Sequence, residues 1–589
     1  MEKLLTRWGK TLNREMPLSE YPRPQMQRDS YFCLNGIWDY AITPISIGFT
    51  DYQGEIVVPF SPECLLSGVE KAVTPTDLLF YRKKFNFKKT NDRVLLHFGA
   101  VDYKCEVALN GTVFGTHTGG YYPFCVDITR AVKNGENELT LKVWDPSETS
   151  SQASGKQTHN RGNIWYTPQS GIWQTVWIEE VPENYIKSVK ITPDIDNDLL
   201  KVDVTAEGDI GSVTVEASDG DDVLCVVTTS GNSAVLKLSD YELWSPENPK
   251  LYDLKITAGK DEIKSYFGMR KFGIGKDGDG FTRLMLNNEP YFQTGLLDQG
   301  YWSDGMYTAP SDEALIYDIE TMKAMGFNML RKHIKIEPLR WYYHCDRLGM
   351  LVWQDMINGG DIYNDSATTI LPAFALGTGL KKAFGVKDTK ENYKLFSRLD
   401  EKGREEYYID AERMINTLYN SVSICMWVPF NEGWGQFDSV KAAEFFREKD
   451  PTRVIDHASG WHDQGAGDVN SFHIYFTPFF FPKYDKNDDR AICLTEFGGY
   501  SMSIEGHRFN TEKTFGYRIY KTKDTLEKAL HNLYIKRLLP LVSKKGLSAL
   551  VYTEVSDVED ETNGLLTYDR EIVKIDIDFM KEINEKFRL

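Results

Sequence analysis

The chain has 589 residues, which at roughly 100 to 200 residues per domain allows several domains and excludes a single small binding module. Its 86 Asp and Glu outnumber its 68 Lys and Arg, and the formal net charge of −18 disfavours binding to phosphate backbones or anionic lipid. We therefore expect neither nucleic acid nor a membrane as a partner. Aromatic residues make up 13% of the chain, more than a core alone usually requires, and sugar-binding clefts are one place for that excess.

The N-terminal segment and the cysteines bear on cellular location. Charged residues interrupt the first 18 positions, so the chain does not begin with an apolar stretch of signal-peptide length. No window approaches the roughly 18 uncharged apolar residues of a membrane span. The eight Cys are scattered without a Cys-x-x-Cys pair. We expect a soluble, cytoplasmic protein with reduced thiols and no zinc site.

Short apolar or alternating runs separated by turn residues dominate the first half of the chain. Between about residues 30 and 180 they include ELTLKVWD and QTVWIEEV, and Asn110-Gly111 is a tight-turn signal. This pattern predicts a jelly-roll β-sandwich over 1–183. A smaller set of strand-like runs, including LLKVDVTAEG and LYDLKITA, predicts an immunoglobulin-like β-sandwich over 184–275.

Residues 276–589 are predicted to form a (β/α)8 barrel, because apolar strand-like runs now alternate with amphipathic helices. Between Ser311 and Gly326 the apolar side chains fall on one helical face, with Ser311 placed to cap the start and Gly326 to end it. A doubly wound sheet is the competing topology, but the segment has no Gly-rich nucleotide-binding loop. The eight candidate strands cover residues 289–295, 327–331, 350–354, 423–430, 453–457, 471–476, 491–497 and 548–554.

Two carboxylates follow predicted barrel strands, where the active site forms in a barrel of this type. Glu432 follows an apolar run and begins a loop rich in Gly and Trp, and Glu496 lies at the end of the seventh predicted strand. A retaining glycosidase needs such a pair: one carboxylic acid that protonates the leaving oxygen and one carboxylate that attacks the anomeric carbon. The alternative is that each Glu is a solvated loop residue.

A set of short motifs occurs in order along the chain: Leu34-Asn35-Gly36-Ile37-Trp38, Val107-Ala108-Leu109-Asn110-Gly111, Ser170-Gly171-Ile172-Trp173, Trp244-Ser245-Pro246 and Phe267-Gly268-Met269-Arg270. Each motif alone is weak, but their order and spacing are specific. With them the chain resembles, over essentially its whole length, a family 2 glycoside hydrolase, the group that contains β-galactosidases, β-glucuronidases and β-mannosidases. The resemblance implies a jelly-roll sugar-binding domain, an immunoglobulin-like sandwich and a catalytic barrel, in that order.

Four barrel residues match the catalytic motifs of this family. Asn431-Glu432-Gly433 resembles its acid/base motif, so the resemblance implies that Glu432 is the acid/base and that Asn431 hydrogen-bonds the sugar 2-hydroxyl. It also implies that Glu496 is the nucleophile, and that Arg331 reaches Glu496 and holds it ionised. The implied mechanism is double displacement through a glycosyl-enzyme. It requires no organic cofactor, and no metal site is predicted.

Aromatic side chains supply further candidate contacts to a substrate. The resemblance implies that Tyr475, at the sixth strand end, hydrogen-bonds the nucleophile, with a core Tyr as the alternative. Tyr552 ends the eighth predicted strand, where the family usually has a Trp as a sugar platform, and His473 is predicted to pack inward. Other candidates, each with loop packing as the alternative, are Trp461, Trp434, Trp165 and Tyr166.

Positions after the eighth and first barrel strands bear on which sugar is bound. Glucuronidases of this family carry Asn-x-Lys to pair with the sugar carboxylate, whereas this chain reads Asn563-Gly564-Leu565. An unpaired carboxylate is costly to bury, so the resemblance favours a neutral, galactose-like sugar with Asn563 near its 6-hydroxyl. The Arg-His-Glu segment of galactosidases is replaced here by Leu297-Asp298-Gln299, and Asp298 is a candidate for contacts to sugar hydroxyls.

The leading hypothesis is an exo-acting retaining β-glycosidase that hydrolyses terminal neutral β-linked sugars of an oligosaccharide or glycoside, most like a β-galactosidase. A β-glucuronidase or another family 2 specificity, for mannosides, galactofuranosides or arabinosides, is the alternative. A catalytically silent carbohydrate-binding protein is the hypothesis from another class. Relatives often form dimers or tetramers, so a homo-oligomer is an expectation. The long insertion at 359–403 is predicted to be a rim loop, with disorder as the alternative.

Overall fold

Two β-sandwiches precede a barrel in the computed structural model of the chain, as the sequence predicts. The predicted domain boundaries, after residues 183 and 275, stay predictions. Among the helices of the described residues, none combines the length and apolar character needed to cross a membrane. The structure describes residues 3–361, 363, 368, 385–476 and 488–589.

The first sandwich consists of antiparallel strands. They are β1 Phe32–Cys33, β2 Gly36–Pro44, β3 Gly54–Val58, β4 Asp77–Phe87, β5 Arg93–Phe98, β6 Val101–Asp102, β7 Lys104–Leu109, β8 Thr112–Thr118, β9 Phe124–Asp127, β10 Gly135–Trp144, β11 Gly171–Ile172 and β12 Val176–Val181. A six-stranded sheet in the order β3-β2-β4-β10-β7-β8 accompanies a four-stranded sheet in the order β1-β12-β5-β9. The predicted tight turn joins β7 to β8, and both Asn110 and Gly111 have the positive φ that such a hairpin requires.

The second sandwich has the size and sheet pattern of an immunoglobulin-like domain. Its strands are β13 Tyr185–Asp194, β14 Leu199–Glu207, β15 Val213–Asp219, β16 Asp222–Thr229, β17 Ser233–Lys237, β18 Tyr252–Ala258 and β19 Asp261–Phe267. A three-stranded sheet, β13-β14-β17, accompanies a four-stranded sheet, β16-β15-β18-β19. Alternate side chains of these strands form one buried apolar cluster, which explains the period-two pattern of the sequence.

A small antiparallel meander leads into the barrel and shifts the start of the first predicted barrel strand. The meander consists of β20 Phe272–Lys276, β21 Thr282–Leu286 and β22 Glu289–Pro290. The predicted strand 289–295 is therefore divided, because residues 289–290 pair antiparallel with β21 and the parallel barrel strand begins only at Gln293.

The barrel contains the eight predicted strands in parallel, in the order β27-β26-β25-β24-β23-β32-β29-β28. Their bounds are β23 Gln293–Asp298, β24 Met329–Lys332, β25 Leu351–Asp355, β26 Ile424–Val428, β27 Val454–Ile455, β28 Val469–Ile474, β29 Ala491–Gly498 and β32 Leu547–Thr553, with a separate short pair, β30 Tyr500–Ser501 and β31 Arg518–Ile519. This order is that of a nearly closed (β/α)8 barrel, so the predicted fold class is confirmed. Part of the predicted rim loop, namely 362, 364–367 and 369–384, lies outside the described residues.

Helices follow most of the barrel strands. They are α1 Asp312–Ala324, α2 Leu339–Leu348, α3 Glu401–Leu418, α4 Ser439–Lys449, α5 Lys523–His531, a π-helical turn Asn532–Leu538, α6 Leu539–Lys545 and α7 Ile577–Asn584, with short 3₁₀ turns at Gly9–Thr11, Lys390–Asn392 and Glu585–Phe587. The predicted caps of α1 are confirmed, because the Ser311 side chain accepts a hydrogen bond from Ala314 N and Gly326 has φ +82°.

Strand register decides which side chains point into the barrel. Leu297, Arg331 and Trp353 are partners across β23, β24 and β25, and Leu297 and Trp353 belong to the apolar cluster of the barrel interior. Leu296 and Leu330 are also partners, but they belong to the cluster that packs against the helices. Because successive residues of a strand alternate between the two faces, Arg331 points into the barrel.

Candidate active site

Four residues that the sequence singles out converge at the carboxyl ends of the barrel strands. Arg331 lies in β24, Asn431 and Glu432 follow β26, and Glu496 lies in β29. Each is at most 4% exposed. The separate sequence positions are thus brought together by strand order alone, at the end of the barrel where active sites form.

The two glutamates are close enough for direct attack on a bound sugar. An oxygen of Glu432, a ring nitrogen of His473 and an oxygen of Glu496 lie within 4.8 Å of one another. Retaining glycosidases hold their carboxyl groups about 5 to 5.5 Å apart, whereas inverting enzymes need about 6.5 to 9.5 Å to admit a water molecule. The spacing here fits the retaining class.

The backbone and a histidine together position Glu432. Glu432 and Gly433 both have positive φ, and Glu432 N donates to Ser459 O at 2.9 Å, so the chain turns sharply as it leaves β26. His473 Nδ1 lies 2.7 Å from Glu432 Oε1, and its Nε2 lies 3.4 Å from Arg331 Nη1. His473 therefore links Glu432 to Arg331 and fixes the orientation of the Glu432 carboxyl group.

Both carboxylate oxygens of Glu496 accept hydrogen bonds. Arg331 Nη1 donates to Oε1 at 3.1 Å, and the Tyr475 hydroxyl donates to Oε2 in a short hydrogen bond while lying 3.4 Å from Glu432 Oε1. Burial raises the pKa of Glu496 above its usual value. The negative charge of Glu432 also raises this pKa, whereas His473, Arg331 and Tyr475 lower it. Arg331 reaches Glu496 as predicted, but burial outweighs its effect on the pKa.

Arg331 is the hub that holds several site residues in place. Its Nε donates to Asp355 Oδ1 at 2.9 Å, and its Nη2 donates to Asn431 Oδ1 at 2.7 Å. The Asn431 carboxamide oxygen is therefore occupied, whereas its NH2 group has no partner among the described residues and is the donor available to a ligand. Arg331 itself is fully buried, so it positions Asn431 and Glu496 from behind.

Sequence reasoning missed Asp355 and assigned His473 to packing. Asp355 Oδ2 lies 2.8 Å from His333 Nδ1, so this carboxylate bridges His333 and Arg331. Burial lowers the pKa of His333 well below its usual value, and the charges of Lys156 and Arg331 add to this effect. His333 is therefore neutral. A signal for Asp355 was present, because it ends the apolar run LVWQD just as Glu496 ends its own strand.

Of two predicted aromatic contacts, Tyr475 lies at the glutamate pair and Trp461 lies next to His473. Tyr475 stacks on Tyr517 with ring centroids 4.0 Å apart and an interplanar angle of 3°, which fixes its hydroxyl on Glu496. Trp461 donates its Nε1 hydrogen to the backbone oxygen of His473 at 3.2 Å. The Trp461 ring lies edge-on to the His473 ring, with centroids 5.6 Å apart.

The first sandwich contributes residues to the mouth of the barrel. Trp165 packs on Trp434 with ring centroids 5.1 Å apart. The Tyr166 hydroxyl donates to Glu561 Oε2 at 2.5 Å, and Asn563 Nδ2 donates to Glu561 Oε1 at 2.9 Å. Asn563 Oδ1 has no partner among the described residues. The predicted Asn563 thus lies where the first domain meets the segment that follows β32.

The structure does not bring Asp298 or Tyr552 to the glutamates, because strand register turns both toward the helices. Asp298 is the register partner of Lys332, whose Nζ donates to Asp298 Oδ2 at 2.7 Å, while Gly300 N donates to Oδ1. Tyr552 is buried, and its hydroxyl accepts from Tyr500 N at 3.0 Å. A register offset of one residue moves a side chain to the opposite face of a sheet. Their predicted sugar contacts therefore have no support in this geometry.

A metal ion does not suit the donor atoms at the glutamate pair. Among the described residues, Glu432, His473 and Glu496 form the one cluster of metal-ligand residue types. However, Arg331 places a guanidinium nitrogen 3.1 Å from Glu496 Oε1, and a cation so close repels another. His473 Nδ1 is engaged in the 2.7 Å hydrogen bond with Glu432 Oε1, and Nε2 contacts Ser459 Oγ at 3.0 Å, so both ring nitrogens already have partners. The cluster is better suited to proton transfer than to metal binding.

A pair of carboxyl groups at this distance, at the carboxyl end of a (β/α)8 barrel, is the arrangement expected of a retaining glycoside hydrolase. Three family models match consecutive parts of the chain: "Glycosyl hydrolase 2 galactose-binding domain-like" over residues 71–180, "Glycosyl hydrolases family 2" over 184–270, and "Glycosyl hydrolases family 2, TIM barrel domain" over 283–491. The chain belongs to glycoside hydrolase family 2.

Curated relatives carry two activities. A beta-glucuronidase of Streptococcus agalactiae is 23% identical over 534 residues, which are 81% of this chain and 84% of that protein. A beta-galactosidase of Lactococcus lactis is 27% identical over 354 residues, which are 55% of this chain and 34% of that protein. A Formosa agariphila protein is 28% identical over 305 residues, 47% of this chain. The chain spans only 34% of the length of the Formosa protein.

Solved structures share the whole fold. A beta-D-glucuronidase of Dictyoglomus thermophilum superimposes with a TM-score of 0.72 at 20% identity, covering 96% of this chain and 98% of that chain. A GH2 beta-galacturonidase of Eisenbergiella tayi superimposes with a TM-score of 0.68 at 18% identity and the same coverage. At these identities the likeness establishes the three-domain architecture.

Proposed function

We propose that this chain is an exo-acting retaining β-glycosidase that hydrolyses a terminal β-linked sugar by double displacement. The spacing of Glu432 and Glu496 carries this proposal, since carboxyl oxygens within 4.8 Å of each other match the roughly 5 to 5.5 Å separation of retaining enzymes and not the roughly 6.5 to 9.5 Å of inverting ones. Both residues also stand in the motifs that resemble the acid/base and the nucleophile of the family.

The reaction follows from this geometry in two steps. In the first, a carboxylate oxygen of Glu496 attacks the anomeric carbon, while protonated Glu432 gives its proton to the glycosidic oxygen and the aglycone leaves. This forms a covalent glycosyl-enzyme. In the second, Glu432 removes a proton from water, whose oxygen attacks the anomeric carbon and releases Glu496. Two inversions at one carbon give a product with the original β configuration.

The neighbouring residues have distinct parts in this mechanism. Arg331 and Tyr475 donate to different oxygens of Glu496, so they fix its orientation and favour the ionised form that attacks. His473 holds Glu432 in place through Nδ1. The free NH2 group of Asn431 is the donor for the sugar 2-hydroxyl, where hydrogen bonds strengthen in the transition state.

A neutral, galactose-like sugar is the first candidate for the bound glycone. Leu565 replaces the Lys that glucuronidases of the family carry, and it is buried, so this segment supplies no cation at that position. The Lactococcus lactis relative, a beta-galactosidase, supports this substrate class. In this case Asn563, with its unpartnered oxygen, accepts from a sugar hydroxyl.

A β-linked hexuronic acid is the second candidate. The Streptococcus agalactiae relative is a beta-glucuronidase, and the two solved structures above are a glucuronidase and a galacturonidase. Their names support a uronide for this chain as well. Such a substrate requires a cation elsewhere in the site, because Leu565 cannot pair with a carboxylate. A cytoplasmic location and a dimeric or tetrameric assembly are further proposals.

Nitrophenol release from a panel of β-linked nitrophenyl sugars tests the function. The panel contains the galactoside, glucoside, mannoside, galactofuranoside, arabinosides, glucuronide and galacturonide. We expect activity on one glycone, and a loss of about a thousandfold or more in kcat in both Glu432→Gln and Glu496→Gln. The exposed Glu448 supplies the matched control, Glu448→Gln, which should retain the full rate.

The stereochemistry of the product tests the retaining assignment separately. Proton NMR of the first-formed sugar should show the β anomer before mutarotation. An α anomer would contradict double displacement. An unaltered rate in Glu496→Gln would contradict the assignment of Glu496 as the nucleophile. If the wild-type protein hydrolyses neither this panel nor natural oligosaccharides, the hypothesis of a non-catalytic carbohydrate-binding protein is favoured.

A further inference from the structure

A loop of the first sandwich is fixed on the mouth of the barrel. The backbone N–H groups of Ser154 and Gly155 both donate to Asn358 O, at 3.0 and 3.2 Å, and Ala153 forms a β-bridge with Gly359. Gly155 has φ +64°, and a Cβ there would lie 2.9 Å from the Tyr307 hydroxyl, so the close approach requires glycine. The next residue, Lys156, is thereby held at the mouth of the barrel.

Lys156 is a largely buried lysine whose ammonium group has no partner among the described residues. It is 5% exposed, and its ammonium group forms no hydrogen bond or ion pair with any residue that the structure describes. Its Nζ lies 5.4 Å from the centroid of the Tyr166 ring and 5.9 Å from that of Trp434, which is two positions beyond Glu432. A buried charge is costly unless it is paired, and aromatic faces compensate only part of that cost.

The charge of Lys156 affects the pKa values of residues on both sides of the site. On one side it helps to lower the pKa of His333, whose ring lies 6.4 Å from the Trp434 ring. On the other side it opposes the rise in the pKa of Glu554, which burial and then Glu561 cause. Lys156 therefore lies between the segment that follows β24 and the segment that follows β32.

The two neighbouring acidic residues do not neutralise Lys156 by direct contact. Glu561 already accepts from the Tyr166 hydroxyl and from Asn563 Nδ2, one on each oxygen. Glu554 Oε2 accepts from Gln299 Nε2 at 2.8 Å, and burial raises the pKa of Glu554 well above its usual value. Neither carboxyl group lies within ion-pair distance of the Lys156 ammonium group among the described residues. An anion from outside the protein is the partner that this position lacks.

We propose that Lys156 binds the carboxylate of a β-linked hexuronic acid, and so replaces the Lys that the Asn563-Gly564-Leu565 segment lacks. The inference rests on the proposed function, because it names the substrate class of that same site. A carboxylate forms a charge-assisted hydrogen bond with the ammonium group and neutralises its charge, whereas a neutral hydroxyl leaves that charge without a counter-ion. The first domain is then part of the substrate pocket, and it selects the glycone.

Matched pairs of substrates test this assignment. kcat and KM are measured for nitrophenyl β-glucuronide against β-glucoside, and for β-galacturonide against β-galactoside. We expect the wild type to prefer one uronide to its neutral counterpart by about a hundredfold or more in kcat/KM. Lys156→Met should lose about a hundredfold on that uronide, mainly through KM, and less than about threefold on the neutral partner. Lys156→Arg should recover part of the loss, and the exposed Lys142→Met should match the wild type.

Two kinetic outcomes would overturn the proposal. One is a wild-type enzyme that hydrolyses a neutral sugar and neither uronide. The other is an equal loss on both members of a pair in a Lys156→Met variant with wild-type thermal unfolding, because this would assign Lys156 a role unrelated to the carboxylate.

A binding measurement separates this inference from the catalytic proposal. Glucuronate, galacturonate and galactose are titrated calorimetrically into Glu496→Gln and into the double variant Glu496→Gln/Lys156→Met. Uronate binding that is at least about tenfold weaker in the double variant, with galactose binding unchanged, supports the subsite even if the assigned nucleophile is wrong. Absence of uronate binding to Glu496→Gln, or binding that Lys156→Met does not alter, overturns it.

Discussion

His473 Nδ1 lies 2.7 Å from Glu432 Oε1, inside a barrel whose sequence suggested only an inward-packing histidine. The same ring approaches Glu496, with Nε2 3.8 Å from its Oε1. Ser459 Oγ lies 3.0 Å from Nε2 and holds the ring from behind. One imidazole therefore spans the candidate acid/base and the candidate nucleophile, and its orientation sets the position of the group that delivers the proton.

Replacing His473 should impair leaving-group protonation most. In His473→Ala, Glu432 loses the hydrogen-bond partner that orients it, and we expect kcat to fall by about 10- to 100-fold on a substrate with a poor leaving group. The loss should be much smaller on a dinitrophenyl glycoside, whose leaving group departs without protonation. Steady-state kinetics on the two substrates checks this, and equal losses on both would show that His473 acts on the fold rather than on Glu432.

Removing the hydroxyl of Tyr475 should shift the acid limb of the pH profile. The hydroxyl donates to Glu496 and lowers its pKa, so in Tyr475→Phe that pKa rises further and the ionised nucleophile is lost at a higher pH. We expect kcat/KM to fall by about 10- to 100-fold, with the acid limb displaced to higher pH. Stacking on Tyr517 should preserve the ring position. Tyr52→Phe, whose hydroxyl is not near the site, is the control, and an unmoved acid limb in Tyr475→Phe would contradict the contact.

The sequence predicted the residues whose roles depend on strand ends. Glu432 and Glu496 each follow a long apolar run, and such runs locate the carboxyl ends of barrel strands without any structure. Arg331 and Asn431 were found because they stand in short motifs that resemble those of the family. The strands delivered these residues to one place, as predicted.

Strand register was the information that the sequence could not supply. Asp298 and Tyr552 also lie at or near strand ends, but each is on the helix side of its strand. The residues just before these positions, Leu296-Leu297 and Leu550-Val551, are apolar on both faces, so no alternation in the sequence distinguishes the two faces. Lys156 was missed for another reason: it reaches the barrel from a different domain, and only the folded chain shows that its charge has no partner.

Removing the central arginine should destabilise the protein in a pH-dependent manner. Arg331→Met leaves Asp355 and Glu496 buried without their shared cation, and breaking a buried ion pair in this way costs about 3 to 5 kcal/mol of unfolding free energy. The loss should shrink as the pH falls, because protonation removes the unpaired charges. Denaturant unfolding at pH 7 and pH 4 checks this, with the exposed Arg130→Met as control. A loss that is the same at both pH values would contradict the electrostatic origin.

We expect the ionised carboxylate of Glu496 to destabilise the folded protein. Its pKa is raised in the folded protein, chiefly by burial, so folding takes up a proton between the unfolded and the folded pKa. Stability therefore falls as the pH rises through that interval. Above the interval, the buried, ionised carboxylate destabilises the folded state to its full extent. Glu496→Gln, which cannot ionise, should have a higher Tm than the wild type at pH 8, and the difference should shrink toward pH 4. Thermal unfolding across this range, beside Glu448→Gln, checks the sign, and a gain that grows toward pH 4 would mean that the ionised form of Glu496 is favoured by the fold.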